Sequence, residues 1–293
     1  MSNNYHAFGL LIRSEFDLPE LGTEPVADRA PDVVIHRGKV PRHTPRITLD
    51  EEVALQHPGA GFLIRGGCDV TVDIRADIDP PVLRALLLGR VMAFVFRQRG
   101  WLPLHASGVL VDNECILFLG NVRAGKSTTA AAFHQQGHPV VTDDVAPVRV
   151  DSDGRCILQS AWSYVRLHSD AAAVLAPRDC VPAMQGGKHR FDLDQRDRGG
   201  VYVVRCAYAI EFGDNIAVES LNVMRAMPLL SRYCFVRHKE MTREALESHV
   251  RACTAVAGSI PVRRLSRPRS LAALPDLVRF VRRDLAPLPD AQR

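Results

Sequence analysis

Five apolar residues, Cys115-Ile116-Leu117-Phe118-Leu119, run straight into Gly120-Asn121-Val122-Arg123-Ala124-Gly125-Lys126-Ser127. No other stretch restricts the fold so tightly. The second string fits the spacing G-x-x-x-x-G-K-[ST], which arises by chance in a chain of this length roughly 1% of the time. Two glycines so placed let the backbone wind tightly, and successive N–H groups then point into one concavity at a helix N-terminus. That geometry needs a strand entering and a helix leaving. The apolar run is the strand, and Lys126 to Gln136, closed by Gly137, is the helix. A loop of this kind holds the phosphates of a nucleoside triphosphate, ATP or GTP. Gly120, Asn121, Val122, Arg123, Ala124, Gly125, Lys126, Ser127 and Thr128 are the expected contacts. Lys126 supplies a cation for the β- and γ-phosphates, and the Ser127 hydroxyl a ligand for Mg²⁺.

Around this loop the chain reads in two parts. From Leu102 strands alternate with helices: strands at Val109 to Asp112, Pro139 to Thr142, Val145 to Val150, Cys156 to Gln159, Val201 to Glu211 and Ile216 to Ser220, helices at Asp170 to Leu175, Thr242 to Val256 and Pro275 to Leu285. Leu246, Val250, Cys253 and Val256 are expected in the core. The first hundred residues read as strands at Tyr5 to Ile12, Asp32 to His36, Gly61 to Arg65 and Cys68 to Ile74, the last two flanking the hairpin signal Gly66-Gly67. Residues 17–31 and 38–58, rich in proline and charge, read as loops. A helix from Pro80 to Arg99, with Asp79 as N-cap and a stripe of Leu83, Leu87, Val91, Phe94 and Val95, joins the parts. The expectation is a small α+β domain over 1–100, then an α/β nucleotide-binding catalytic domain over 101–293 with substantial antiparallel content.

Charge and cysteine usage narrow the function. A net charge of +4 over 293 residues is small and dispersed, which argues against a nucleic-acid partner. The densest basic stretch, Arg263 to Arg269, reads as a solvated connector before the last helix. Seven cysteines occur singly, with no C-x-x-C pair, as expected of reduced thiols in a cytoplasmic protein. The amino terminus lacks a signal-peptide profile, and Arg84, Arg90 and Arg97 interrupt the most hydrophobic segment, so no membrane association is expected.

Three further places could carry chemistry. Asp143 and Asp144 close the strand that follows the loop's helix, within range of Mg²⁺ and a γ-phosphate. Neighbours in a strand point to opposite faces, so one would hold the metal and the other accept a proton. His105, just before the strand pair that feeds the loop, is either a structural or an active-site group, and spacing does not decide which. Lys188 and Arg190, in the loop Gln185 to Arg190, could meet transferred charge or simply be solvated.

Taken together, these residues resemble the HPr kinase/phosphorylase family, serine kinases that phosphorylate a small protein. Its catalytic segment carries a His, a strand pair, a phosphate loop, a helix ending in Gly-His and a strand ending in Asp-Asp. Here the series is His105, Gly120 to Ser127, Gly137-His138 and Asp143-Asp144, closely matched over about residues 101–150 and loosely beyond. The resemblance implies active-site roles for His105 and Lys126, with Ser127 as metal ligand and Asp144 as proton acceptor, which leaves Asp143 nearer the metal. It also implies the mixed-sheet fold shared with phosphoenolpyruvate carboxykinases. Three features depart from the family. Thr128 replaces a Glu after the loop Ser, Ala161 to Leu167 stands in place of the Glu-Ile-Arg-Gly-Leu-Gly-type stretch, and the first part is unlike the classical regulator's. In these respects the chain is similar to divergent HPr-kinase-like proteins found with peptide-modification clusters, such as those for lasso peptides.

The reading that follows is an ATP- and Mg²⁺-dependent kinase acting on a serine hydroxyl of a peptide or small protein, with a precursor peptide as one such acceptor and homo-oligomerisation left open. The alternatives are a kinase for a small-molecule hydroxyl and a nucleotide-binding regulator without transfer. If the loop is the site, Mg²⁺ with ATP or GTP raises the melting temperature by mass action, and Lys126→Ala removes most of that rise in a thermal-shift assay.

Overall fold

The computed structural model describes residues 2–21, 29–41, 52–161, 164–176, 183–185, 188–193, 200–235 and 241–286. Trp162, Ser163, Cys180, Gly186 and Gly187, all part of the sequence expectations, lie outside them.

The first sheet contains β1 (Asn3–Ala7), β2 (Leu10–Ser14), β3 (Val33–Arg37), β4 (Val53–His57), β5 (Ala60–Arg65) and β6 (Asp69–Ile74), in the order β1-β2-β3-β6-β5-β4. The single strand expected over Tyr5 to Ile12 is instead a hairpin turning at Phe8-Gly9, both at positive φ (54° and 66°). A two-residue turn of this hand matches the strand twist. Phe8 hid it, because an aromatic residue is seldom found in that conformation. Its ring packs edge-on against Phe96, 4.7 Å between centroids. β4 likewise falls in a stretch read as loop. It is short, and it pairs with β5 about Pro58 and Gly59.

Next comes one helical run, α1 (Pro80–Leu86), a π turn (Leu87–Val91) and α2 (Met92–Gln98). Asp79 stands at the N-cap, but its side chain makes no capping bond. The stripe Leu83, Leu87, Val91, Phe94 and Val95 is buried as expected. It shares a core with Tyr5, Ile12 and Phe62 of the first sheet and with Val145, Ala161 and Tyr164 from later in the chain.

The central sheet comprises β7 (Leu102–Val111), β8 (Glu114–Leu119), β9 (Val140–Val150), β10 (Cys156–Gln159), β14 (Val201–Phe212), β15 (Ala217–Leu221) and β16 (Val262–Arg267). Their order is β10-β9-β7-β8-β14-β16-β15. β8 runs parallel to β14 and antiparallel to β7, so the sheet is mixed. β7 begins well before the expected Val109. Pro103 reads as a breaker, yet odd-numbered residues here turn their backbone away from β9, as the His105 N–H bonded to the Tyr233 carbonyl shows. Pro103 therefore forfeits no bond to β9. A small third sheet, β11 (Tyr164–Leu167), β12 (Ala183–Gln185) and β13 (Lys188–Asp192), has the order β11-β13-β12.

Both faces of the central sheet are covered, which is why Cys115–Leu119 is apolar throughout. Cys115, Leu117 and Leu119 face α5 (Val223–Arg232) and α6 (Arg243–Ser259). Ile116 and Phe118 face α3 (Lys126–Gln135), α4 (Ser169–Leu175) and α7 (Leu274–Leu285). Pro228 inside α5 concealed that helix from the sequence reading. On α6 the core stripe is Ala245, His249, Cys253 and Val256, while Leu246 and Val250, expected inside, are 39% and 40% exposed. Cys253 and Val256 keep the expected inward positions, and over the first turns Ala245 and His249 replace Leu246 and Val250 because His249 can be buried. Its ring nitrogens are bonded to Arg97 at 3.0 Å and Ser231 at 2.8 Å. The supposed connector at Arg263 to Arg269 is also corrected: most of it is β16, where Arg263 pairs with Asp284 and Arg264 with Glu219.

Phe118 is fully buried between Phe133 and Tyr208, with centroids at 5.3 and 6.1 Å. Phe118→Ala should cost about 3–5 kcal/mol of unfolding free energy, read as a lowered urea midpoint with an unchanged slope.

Candidate functional site

Gly120 to Gly125 leaves the carboxyl end of β8, and α3 starts at Lys126. Gly125 has φ of 90°, and a Cβ there would lie 2.1 Å from Arg267 Nη2. A Cβ on Gly120 would lie 2.9 Å from that of Ala124. Both glycines are therefore required by the loop's own winding. The Lys126 side chain is buried and folded back on the loop, its Nζ donating to the carbonyls of Gly120 at 3.0 Å and Asn121 at 3.3 Å. Burial lowers its pKa, against the nearby charges of Asp143 and Asp144, to about 8.

A cavity of about 820 Å³ opens over the loop, within the range of small-molecule sites. Val122, Arg123, Gly125, Lys126, Ser127 and Thr128 line it, together with His105, Asp143 and Asp144. Gly120, Asn121 and Val122 line an adjoining chamber of about 750 Å³, which meets the first at His105, Val122 and Phe235. Ala124 lines neither. It is buried, and its N–H donates to the Asn121 carbonyl.

The two aspartates do not diverge as strand alternation would require. Asp144 has φ of 91° within β9, a left-handed value rare for a non-glycine residue, and both carboxyl groups reach the one cavity. Their partners differ. Asp143, 3% exposed, accepts from Ser107 Oγ at 2.5 Å and Ser127 Oγ at 2.9 Å through Oδ1, and from the Arg166 backbone N–H at 3.0 Å through Oδ2. Asp144 lies 3.1 Å from His105 Nε2 and 2.6 Å from Arg166 Nη2. Burial opposes its ionisation. The His105 hydrogen bond and the Arg166 charge outweigh that and hold the carboxyl at about 2. Burial lowers the pKa of Arg166, but Tyr164, Asp144 and Asp143 outweigh it and push the guanidinium upward.

Arg166 was missed by the sequence reading, which treated Ala161 to Leu167 only as a replaced segment. β11 brings it to both aspartates. Arg267 was missed too, for it was taken as part of a connector, yet it is 3% exposed and lines the cavity with Arg269. Lys188 lines the cavity as well. Arg190 is bound elsewhere: it is buried, pairs with Glu20 and Asp192, and lies over the Tyr164 ring.

Among the described residues no cluster of three His, Cys, Asp or Glu could hold a metal. Mg²⁺ needs none, since it takes one or two protein oxygens with phosphates and waters. Asp143 and Ser127, already in contact, with Asp144 beside them, form an all-oxygen donor set that fits it.

No protein-family model matches the chain, and no curated protein matches it. Among solved structures it is similar to the Hpr(Ser) kinase/phosphatase from Coxiella burnetii, over 62% of this chain and 97% of that one, at 14% identity and a TM-score of 0.33.

The depressed Lys126 pKa has a definite sign. An unfolded chain keeps this ammonium protonated to about 10.4, so between about 8 and that value the unfolded state binds more protons, and stability contributed by Lys126 rises with pH. A bound polyphosphate favours the charged form and reverses the shift. Tripolyphosphate binding at pH 8–9 should therefore take up a proton and weaken as pH rises further, seen by calorimetry in buffers of different ionisation enthalpy. Lys126→Met should abolish that dependence.

Proposed function

We propose that the protein is an ATP-dependent kinase that transfers the γ-phosphate to a serine hydroxyl of a peptide or small protein. The observation that carries this reading is the division of labour between adjacent carboxylates. Asp143 is bonded to Ser127 of the loop, while Asp144 is held in a left-handed conformation by His105 and Arg166. A site that only bound nucleotide would gain nothing from a second carboxylate that repels the phosphates. Backbone strain of this kind is kept where it serves a mechanism.

In this reading Gly120 to Thr128 cradle the β- and γ-phosphates, and Lys126 leaves its loop carbonyls to meet them. Asp143 and Ser127 would hold Mg²⁺, which when bound neutralises phosphate charge. The serine oxygen forms its bond to the γ-phosphorus, the bond to the β-bridging oxygen breaks, and ADP leaves. The hydroxyl proton goes to an Asp144 carboxylate oxygen. A carboxyl at about 2 is a weak base while Arg166 is bound to it. When Arg166 turns to the phosphates, Asp144 loses that stabilising charge and its basicity rises. His105 keeps the carboxylate oriented. Positioning and charge dominate such a transfer, because the transition state is loose.

The adjoining chamber supports an acceptor larger than water or a small metabolite. Met227, Pro228, Tyr233 and Phe235 give it apolar walls, Ser231 and Arg232 polar ones, and it reaches the reacting groups at His105. The described cysteines are all free thiols, consistent with work in the cytoplasm.

Asp144→Asn keeps the side chain's size and removes the base. It should retain MgATP binding and lose transfer to a confirmed peptide acceptor by at least ~10² in single-turnover assays. Transfer at the wild-type rate would refute the role of Asp144. A wild-type protein that bound ATP and phosphorylated no acceptor would be a regulator instead.

A further inference from the structure

Arg267 is a buried cation with no counter-charge among the described residues. Its side chain is 3% exposed, no carboxylate among the described residues pairs with it, and its Nε has no hydrogen-bond partner. Among the described residues its polar contact is Nη1 to the carbonyl of Pro268 at 3.0 Å, and its guanidinium carbon lies 5.2 Å from the Phe212 ring centroid. Burial lowers its pKa below the ordinary guanidinium value. A desolvated charge held in this way is costly unless an anion visits it. The guanidinium lies against Gly125 and lines the same cavity as Lys126, at the N-terminus of α3.

Sheet register shows which end of the cavity this is. Asp144 pairs with Ala106, Ala106 with Leu119, Leu119 with Ala209, and Ala209 with Arg264. The row crosses four strand spacings of ~4.8 Å, about 19 Å in all, with the phosphate loop leaving from its middle. β8, β14 and β16 are parallel, so their carboxyl ends share one edge. At that edge Phe212 pairs with Arg267. Asp144 and His105 thus lie on one side of the loop, and Phe212, Arg267 and Arg269 on the other. Phe212 is 37% exposed, and the guanidinium carbon of Arg269 lies 4.4 Å from its ring centroid, an exposed cation–ring pair on the cavity wall.

We infer that Arg267 is a second phosphate ligand and that the Phe212–Arg269 pair is the platform for the nucleotide base, so that the triphosphate lies with its nucleoside over β14 and β16 and its terminal phosphate toward Asp144. This rests on the nucleotide reading above. Aromatic rings and arginine planes are the usual stacking partners of bases, and a guanidinium fork suits phosphate oxygens.

The test compares MgATP with inorganic tripolyphosphate, which has the phosphates and no base, by calorimetry on the full chain. Arg267→Gln should weaken both by ~10-fold or more. The melting temperature of its ligand-free form should stay level or rise, since a merely structural arginine would lower it. Arg267→Lys, which keeps the charge and loses the fork, should recover part of the affinity, and it carries the same test if Arg267→Gln does not fold. Phe212→Ala should weaken MgATP by ~10-fold or more and tripolyphosphate by clearly less, because the ring also backs the Arg267 guanidinium. Wild-type affinity of both Arg267 variants for both ligands overturns the phosphate assignment. Equal losses of the two ligands in Phe212→Ala overturn the platform. If Lys126→Ala also binds like the wild type, the failure lies with the nucleotide reading itself.

Discussion

One carboxylate ties the site together. Asp143 accepts from a side chain on β7, a side chain on the first turn of α3 and a backbone N–H on β11, all while almost fully enclosed. Buried carboxylates survive only when their lone pairs are used, and here each bond also fixes a separate piece of chain. Through Ser127 it sets where α3 begins relative to β9. Through Ser107 it holds β7 beside the loop. Through Arg166 it docks the small third sheet on the central one, which brings a guanidinium to Asp144. The loop's shape depends on its glycines, but its position relative to His105 and Asp144 depends on Asp143.

The strand, loop and helix over Cys115–Gln135 were legible because each level of the sequence agrees there: an apolar run for a doubly covered strand, glycines where the backbone must turn, and small residues along α3. Asp143 and Asp144 were legible as a pair but not as an arrangement. Strand periodicity sends them to opposite faces, and only the left-handed φ at Asp144 brings both to one cavity. That backbone choice is made by the bonds to His105 and Arg166, which join three separate strands, and a local pattern contains no sign of it.

Several misses elsewhere share one physical cause. Arginine and histidine read as surface residues, yet in this fold several are buried because distant elements supply partners. His249 takes an inward position on α6 through Arg97 and Ser231, which displaces Leu246 and Val250 to the surface. Arg190 looked free to meet phosphate and is instead held by Glu20 and Asp192. The basic run at the end of the chain looked like a connector because its charges are dense. In β16 their sites alternate: Arg264 is paired at the sheet edge, and Arg267 turns inward to the loop. Charge density identifies a solvated segment only when no acidic partners or anion await it in the folded state.

The same contacts join the amino-terminal sheet to the site. Glu20 pairs with Arg84 on α1 and Arg190 on β13, Arg190 covers the Tyr164 ring, and Tyr164 shares β11 with Arg166, the partner of Asp144. The π turn ending α1 comes close from the other side: a Cβ on Gly89 would stand 4.0 Å from Asp144 Oδ2. At that distance a Cβ would make ordinary van der Waals contact, so the amino-terminal helix lies directly against the carboxylate. The core reinforces the connection, since Phe62 and Phe94 belong to the same apolar cluster as Val145, the residue after Asp144. The strained φ at Asp144 is therefore held from both sides, by Arg166 on the third sheet and by the helix that carries the first.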